Sequence, residues 1–90
     1  MSVTVRLHPL LRQFTNGEKV VEVEGTTIGE CLDNLEQKFP GVKQHLLSKA
    51  GTLNDLWDIY VNSSSSYPEE LAMPVHDGDE LNIIAMIQGG

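Results

Sequence analysis

The residues of this chain most suited to chemistry are its last three, Gln88, Gly89 and Gly90. Their reactive group is the α-carboxylate of Gly90, which is inert until it is activated as an acyl phosphate or acyl adenylate, usually in the ATP site of another protein. Two glycines suit that chemistry because they lack a Cβ and adopt almost any φ/ψ, so they can enter a narrow channel and fit successive pockets. Chance is the alternative, because glycine makes up about 7% of residues and a Gly-Gly end arises in roughly one chain in 200.

Side chains elsewhere are weaker candidates. His8, His45 and His76 have no metal-ligand spacing among them, which favours a surface position over a ligand or general base for each. Cys31 is a conceivable nucleophile, but it lies on the apolar stripe of a predicted helix, where a small core residue is the favoured interpretation. The serines at 63–66 lack a nucleophile-elbow pattern and indicate a solvated loop. We therefore expect no metal, no bound cofactor and no catalytic side chain.

Length and composition indicate one small globular domain. The chain has 90 residues, of which 40% are hydrophobic and 21% are charged, enough for a single core. It contains no apolar run long enough to span a bilayer, no signal-peptide pattern at its start and only one cysteine, which excludes an internal disulfide. These features predict a soluble protein in the reducing cytoplasm.

The charge of the chain bears on its partners. A formal net charge of −7 disfavours binding to nucleic acid or to an anionic membrane, because a phosphate-binding surface needs clustered Lys and Arg. It favours a protein partner with a basic docking surface, since opposite charges speed encounter. Acidic charge that serves solubility alone accounts for the composition equally well.

The elements that must hold the terminal carboxylate begin with a predicted hairpin. Polar and apolar residues alternate over Val3–Leu7, which predicts a first strand that Pro9 ends. A loop of roughly ten residues closes at 15–17, where Asn-Gly supplies the positive φ angles of a tight turn. Alternation resumes at 20–24. We therefore predict an antiparallel β-hairpin within the first 24 residues.

One amphipathic helix should follow. Thr26 or Thr27 can cap its N-terminus, with Glu30 as the capping-box partner, and Pro40 with Gly41 ends it. The apolar side chains recur on one face, which predicts a helix of about 12 residues that needs a sheet to lie on. That stripe consists of Ile28, Cys31, Leu32, Leu35 and Phe39.

The second half of the chain contains shorter elements. We predict a helical turn at 42–47 that Gly51 ends, a third strand at 57–62, a loop at 63–66, an extended or 3₁₀ segment at 71–73, a turn at 77–79 and a final strand at 81–87.

The final strand determines the predicted topology. It is the most continuously apolar strand, so it should be central, and the helical crossover that separates it from the first strand makes those two strands parallel neighbours. The result is an α+β fold of the β-grasp, ubiquitin-like type, a mixed sheet of four to five strands with one main helix packed on one face. Residues 1–87 form this domain, and 88–90 form a flexible tail.

The uncovered face of the sheet offers a candidate docking surface. If Asn82 faces solvent, Ile84 and Met86 do so too, because alternate residues of a strand share a face. Tyr60 on the third strand has the same parity. An apolar group on an open sheet is a candidate partner site; the alternative is that the segment 63–74 covers it and forms a second small core.

Five stretches of the sequence together form a recognisable pattern: Val3–Leu7, Gly25–Thr27, Ile59–Asn62, Asp77–Leu81 and Gly89-Gly90. In this order they resemble the ThiS/MoaD family of ubiquitin-like sulfur-carrier proteins. Within that family the chain is most similar to the sulfur carriers of a cysteine-biosynthesis route, since it shares Leu35-Glu36 and Pro40-Gly41 with them. It departs from the molybdopterin-synthase small subunit at 84–86.

This resemblance implies a function for the terminus. An E1-like enzyme would use ATP to adenylate Gly90, sulfur from a sulfur donor would replace AMP to leave a thiocarboxylate, and a sulfur-accepting biosynthetic enzyme would consume that sulfur in cysteine or cofactor biosynthesis, including molybdopterin. The protein would be a carrier and not an enzyme, unless it is the small subunit of a molybdopterin synthase. Two alternatives stay open: a ubiquitin-like modifier conjugated to lysines through Gly90, and a non-catalytic β-grasp interaction domain.

Overall fold

The structure, a computed structural model, describes residues 2–86. Five strands and two α-helices follow one another along this part of the chain, with 3₁₀ helices at Pro9–Phe14 and Glu70–Ala72. In chain order the strands and α-helices are β1 (Ser2–Arg6), β2 (Val20–Glu24), α1 (Ile28–Lys38), α2 (Val42–Leu46), β3 (Trp57–Val61), β4 (Ser64–Ser65) and β5 (Glu80–Ala85).

The five strands form one mixed sheet in the order β2-β1-β5-β3-β4. Strand β5 lies in the centre, parallel to β1 and antiparallel to β3, while β1 and β2 form the antiparallel hairpin. Leu81 pairs with Val5 and Ile83 pairs with Ile59, and all four side chains are buried on the helix side of the sheet. The predicted hairpin, the central final strand and its parallel pairing with the first strand are confirmed.

Helix α1 packs on one face of this sheet and begins where the capping pattern predicts. Thr27 Oγ1 accepts a hydrogen bond from the Glu30 amide at 3.1 Å. The Glu30 carboxylate reaches one residue further back than in a standard capping box, because it accepts from the amide and the hydroxyl of Thr26, both at 2.8 Å. Both hydrogen bonds stabilise the charged carboxylate and so lower the pKa of Glu30; the bond from the Thr26 amide has the larger effect.

Two segments differ from the sequence-based expectation. The predicted loop after Pro9 is largely a 3₁₀ helix, whose first turn is capped by His8 Nδ1 accepting from the Leu10 amide at 3.1 Å. The predicted serine loop contains the short edge strand β4, which pairs with the end of β3. Pairing of this kind runs through the backbone, so a polar serine sequence gives no apolar alternation by which to detect it.

The final strand ends earlier than predicted, at Ala85 and not at Ile87. Met86 lies beyond the ladder, yet its amide still donates to the carbonyl oxygen of Leu56 at 2.6 Å. Ile87 lies outside the described residues. The chain is therefore held by backbone hydrogen bonds up to Met86.

A polar network holds the start of β5. Asp79 Oδ2 accepts from the His76 amide at 2.7 Å, and its Oδ1 accepts from the Asn62 side chain at 2.8 Å. Asn62 Oδ1 in turn accepts from the Glu80 amide at 2.9 Å. The hydrogen bond from the His76 amide, followed by the one from Asn62, lowers the pKa of Asp79. This network ties the 77–79 turn to the end of β3 and so sets the point at which β5 enters the sheet.

Replacing Asp79 tests this network. Asp79→Asn should lower the free energy of unfolding by about 1 kcal/mol at neutral pH, because a charged acceptor becomes a neutral amide. The pKa of Asp79 is lower in the folded chain, so its contribution is complete above the unfolded-state value near 3.8 and is lost as the pH falls through the folded-state pKa. Urea unfolding measured from neutral to acidic pH should show the difference from wild type shrinking below about pH 4.

Asp55→Asn is the matched control for this test. Its carboxylate accepts no hydrogen bond within residues 2–86, so the substitution should leave the free energy of unfolding unchanged throughout. A loss of stability in Asp79→Asn that stays constant as the pH falls would contradict the network.

Candidate functional site

The predicted tail residues Gln88, Gly89 and Gly90 lie outside the described residues, so their assignment stays a prediction. What the structure positions is the strand that leads to them. Leu81 and Ile83 of β5 are 0% and 4% exposed, and their strand has neighbours on both sides. The chain therefore reaches Met86 from a strand anchored in the core.

The docking candidates Tyr60 and Ile84 share the open face of the sheet, as predicted. Tyr60 pairs with Asn82 and Asp58 pairs with Ile84, and residues paired across antiparallel strands point to the same side. Ile84 is 37% exposed and Met86, just beyond the strand, is 44% exposed, while Tyr60 is half-buried. Their role in docking a partner stays a prediction.

The alternative in which the segment 63–74 covers this face is wrong. Ser66 is buried, and its amide donates to the carbonyl oxygen of Ile59 at 2.9 Å. From there the chain turns toward the helix, where Leu71 and Met73 pack against the main core. The carbonyl oxygen of Met73 accepts from the Ile28 amide at 3.0 Å. The end of this segment therefore joins the helix side of the sheet. Its first part borders Asp58 at the edge of the open face but leaves Ile84 and Met86 exposed, so it forms no second core over that face.

Beside Met86 lies a cleft that the sequence did not predict, here called the acidic cleft. Asp58 Oδ2 accepts from the Ser65 hydroxyl at 2.8 Å, while its Oδ1 is buried without a hydrogen-bond partner among residues 2–86. Asp58 alternates in phase with Tyr60, which is a sequence signal for its place on the open face. No such signal exists for the loop residues. The cleft is lined by Asp55, Trp57, Asp58, Ser65, Tyr67, Glu70 and Met86.

A depression on the opposite flank of β5 is lined by positively charged side chains and is here called the basic pocket. It is lined by Arg6, Arg12 and Lys19, three of the six Lys and Arg residues of the chain, together with Asn82 and Ile83 of β5. Arg6 Nε lies 3.0 Å from Glu80 Oε2, whereas Arg12 and Lys19 form no ion pair in the part of the chain that the structure describes. The two sides of the central strand therefore differ in the sign of their charge.

The histidines occupy separate structural positions. The His8 ring meets the Trp57 ring edge-on, with centroids 5.5 Å apart, and His45 stacks on Phe14 at 4.1 Å. His76 is exposed beside the Asp77–Asp79 turn. Among residues 2–86, no group of three or more His, Cys, Asp or Glu side chains is arranged to hold a metal ion. In the same range no helix has the length and apolar character needed to cross a bilayer.

Cys31 is a core residue, as predicted. It is 0% exposed on the sheet-facing side of α1. Burial, with a smaller contribution from the nearby Glu30 carboxylate, raises the pKa of its thiol to about 11. The thiolate is the nucleophilic form of cysteine, so Cys31 is poorly suited to attack a substrate at neutral pH.

Thiol alkylation tests this assignment. At about pH 8, Cys31 in the folded protein should react with iodoacetamide roughly 100-fold more slowly than in guanidinium chloride, because its raised pKa leaves little thiolate and burial blocks access. Intact-mass measurements over time follow the reaction, and the unfolded protein is the control. Similar rates in the two states would show that Cys31 is an accessible thiol.

Known proteins share this arrangement over the whole chain. A family model described as the ThiS family matches residues 5–90, a range that includes the terminal glycines. The chain is 34% identical over 93 residues to the sulfur carrier protein CysO of Mycobacterium tuberculosis, with 100% of both chains covered.

Solved structures give the same picture. The chain superposes with a TM-score of 0.89 on a chain of the crystal structure of the BexX/CysO complex of Amycolatopsis orientalis, with 37% sequence identity over 98% of this chain and 99% of that chain. It also superposes with a TM-score of 0.83 on small archaeal modifier protein 1 of Haloferax volcanii, with 25% identity and 100% of both chains covered. The β-grasp fold inferred from the strand order is therefore found in relatives that match this chain from end to end.

Proposed function

The chain belongs to the ThiS family, and we propose that it works as a sulfur carrier through a thiocarboxylate formed at Gly90. The observation that carries the proposal is the complete alignment with the sulfur carrier protein CysO. The central strand β5 supports it, because this strand brings the chain to its last four residues from a firm attachment in the sheet. On this proposal the protein is a reusable co-substrate and not an enzyme.

The chemistry requires two steps at the Gly90 carboxylate. In the first, a carboxylate oxygen attacks the α-phosphate of ATP in an E1-like enzyme, pyrophosphate leaves and an acyl adenylate forms. In the second, a hydrosulfide ion supplied by a sulfur donor attacks the acyl carbon, AMP leaves and the S–H proton is lost to solvent. The resulting thiocarboxylate hands its sulfur to an accepting enzyme, and likeness to CysO favours an enzyme of cysteine biosynthesis as the acceptor.

The folded domain serves this chemistry as a docking body. Ordering each tail residue in an enzyme channel costs about 1–2 kcal/mol of backbone entropy, which contacts made elsewhere on the carrier must offset. The open face behind Met86 can supply such contacts through Ile84 and Tyr60. The tail then needs no side chains of its own for affinity.

A second candidate function follows from the likeness to small archaeal modifier protein 1. A protein modifier would share the acyl adenylate, but a lysine amine would attack in place of sulfur and leave an isopeptide bond at Gly90. The two functions diverge only at the nucleophile, so one experiment separates them.

That experiment is intact-mass analysis of the chain co-expressed with the E1-like enzyme of its own genome. A sulfur carrier should gain the mass difference between sulfur and oxygen, located at Gly90 by fragmentation. A variant lacking Gly89 and Gly90 should fold equally well, as judged by denaturant unfolding, and should show no such change. A ladder of heavier conjugates would favour the modifier, and an unchanged wild-type mass would contradict both functions.

Docking through the open face gives a second test. Ile84→Glu should raise the KM for the carrier in adenylation about tenfold with little change in kcat, because it places a charge where an apolar contact is expected. Ala50→Glu is the control, since Ala50 is also exposed but lies in the turn that follows α2, outside the sheet and outside the lining of both the acidic cleft and the basic pocket. Equal KM values for the two variants would contradict docking at Ile84.

A further inference from the structure

The acidic cleft carries negative charge that nothing in its walls balances. Its lining includes the carboxylates of Asp55, Asp58 and Glu70 but no Lys, Arg or His. None of these three carboxylates forms an ion pair within residues 2–86. One carboxylate oxygen of Asp58 accepts a hydrogen bond from the Ser65 hydroxyl, while the other is buried without a hydrogen-bond donor. A cationic group that entered the cleft would therefore meet charges that the fold leaves uncompensated.

The cleft also has aromatic and thioether walls. Trp57 is held from behind, because its Nε1–H donates to the carbonyl oxygen of His45 at 2.8 Å and the His8 ring packs against it. Tyr67 is 73% exposed and has room to meet a ligand. A planar guanidinium stacks on aromatic faces and binds carboxylates through paired hydrogen bonds, whereas an ammonium group does neither as well. The lining favours arginine as the cation.

The position of the cleft indicates which protein would supply that arginine. Met86 lines the cleft, and Gly90 lies four residues further along the chain, a span of at most about 14 Å when fully extended. Any enzyme that acts on the Gly90 carboxylate must bring its catalytic site within that reach. Its surface therefore comes within reach of the acidic cleft when it engages the tail.

We propose that the acidic cleft receives an arginine side chain of the enzyme that acts on Gly90, an inference that rests on the proposed function. The basic pocket on the other flank of β5 supplies the opposite charge, so a partner with an arginine on one side of the tail channel and acidic groups on the other is accepted in one orientation only. The charges thereby direct the tail into the channel.

Two isosteric double variants test the proposal. Asp55→Asn with Glu70→Gln removes two charges of the cleft, and Glu22→Gln with Asp77→Asn removes two exposed charges near the other end of β1 and β5. Both raise the net charge equally. In ATP–pyrophosphate exchange with the E1-like enzyme, the cleft variant should raise the KM for the carrier about fivefold, and the control should change it less than about twofold.

The salt concentration provides a further test. The difference in KM between the two variants should shrink at high ionic strength, because exposed charges are then screened. A KM for the cleft variant equal to that of the control would overturn the proposal, even if Gly90 is adenylated normally.

A second measurement judges the cleft without the enzyme. Trp57 is the only tryptophan, so its indole N–H gives a single NMR marker. Titration with N-acetyl-arginine amide should shift this signal saturably in wild type and not in the cleft variant, while the neutral citrulline analogue should have no effect. Equal responses to both compounds, or none to either, would overturn the inference. Absence of pyrophosphate exchange with wild-type protein would instead count against the proposed function, and the titration would then decide the cleft alone.

Discussion

The pairing of β5 with neighbours on both sides is the constraint on which the rest of this structure depends. Leu81 and Ile83 point into the core from the middle of the sheet, and burying each such side chain stabilises the fold by roughly 1.5–3 kcal/mol. Because β5 runs parallel to β1, the intervening chain has to cross over the sheet, and α1 lies in that crossover. The position of the helix and the place where the tail begins are thus consequences of one strand pairing.

The helices lie on one side of the sheet, which explains why its other face remains available to other molecules. The apolar stripe of α1 shares one core with the buried residues of the sheet. Helix α1 contacts β2, α2 and the 3₁₀ helix Glu70–Ala72, and α2 contacts the 3₁₀ helix Pro9–Phe14. The other face carries polar and charged side chains, and Ile84 is an exposed apolar side chain among them near the end of β5. On the proposed function such a face matters, since an enzyme that acts on Gly90 would obtain its binding free energy from the folded body.

Charge is distributed over this molecule in a way that the net value conceals. The chain is acidic overall, yet three of its six Lys and Arg residues line one pocket beside β5. The other flank of the strand has three carboxylates and no cation in its lining. Electrostatic complementarity contributes more to orientation and association rate than to affinity. On the proposed function, this distribution would orient the protein against each enzyme that acts on Gly90.

Local patterns in the sequence were sufficient for the hairpin, for α1 with its Thr27 cap and for the central place of β5. Each of these depends on alternation, helical spacing or capping among residues close in the chain, and the whole-chain family match agrees with them. The assignment of the reactive carboxylate to Gly90 also came from residue type and position, and it stays a prediction because these residues lie outside the described part of the chain.

Only the tertiary structure decided which distant residues meet. Ser64–Ser65 became an edge strand through backbone bonds that carry no side-chain signature, and the segment 63–74 turned to the helix side to pack Leu71 and Met73. The acidic cleft joins residues from the start of β3, the edge strand and the loop that follows it, and the basic pocket joins β1, β2 and a 3₁₀ helix. Sequence periodicity reports which side of its own element a residue faces, whereas the meeting of two loops depends on the packing of the entire core.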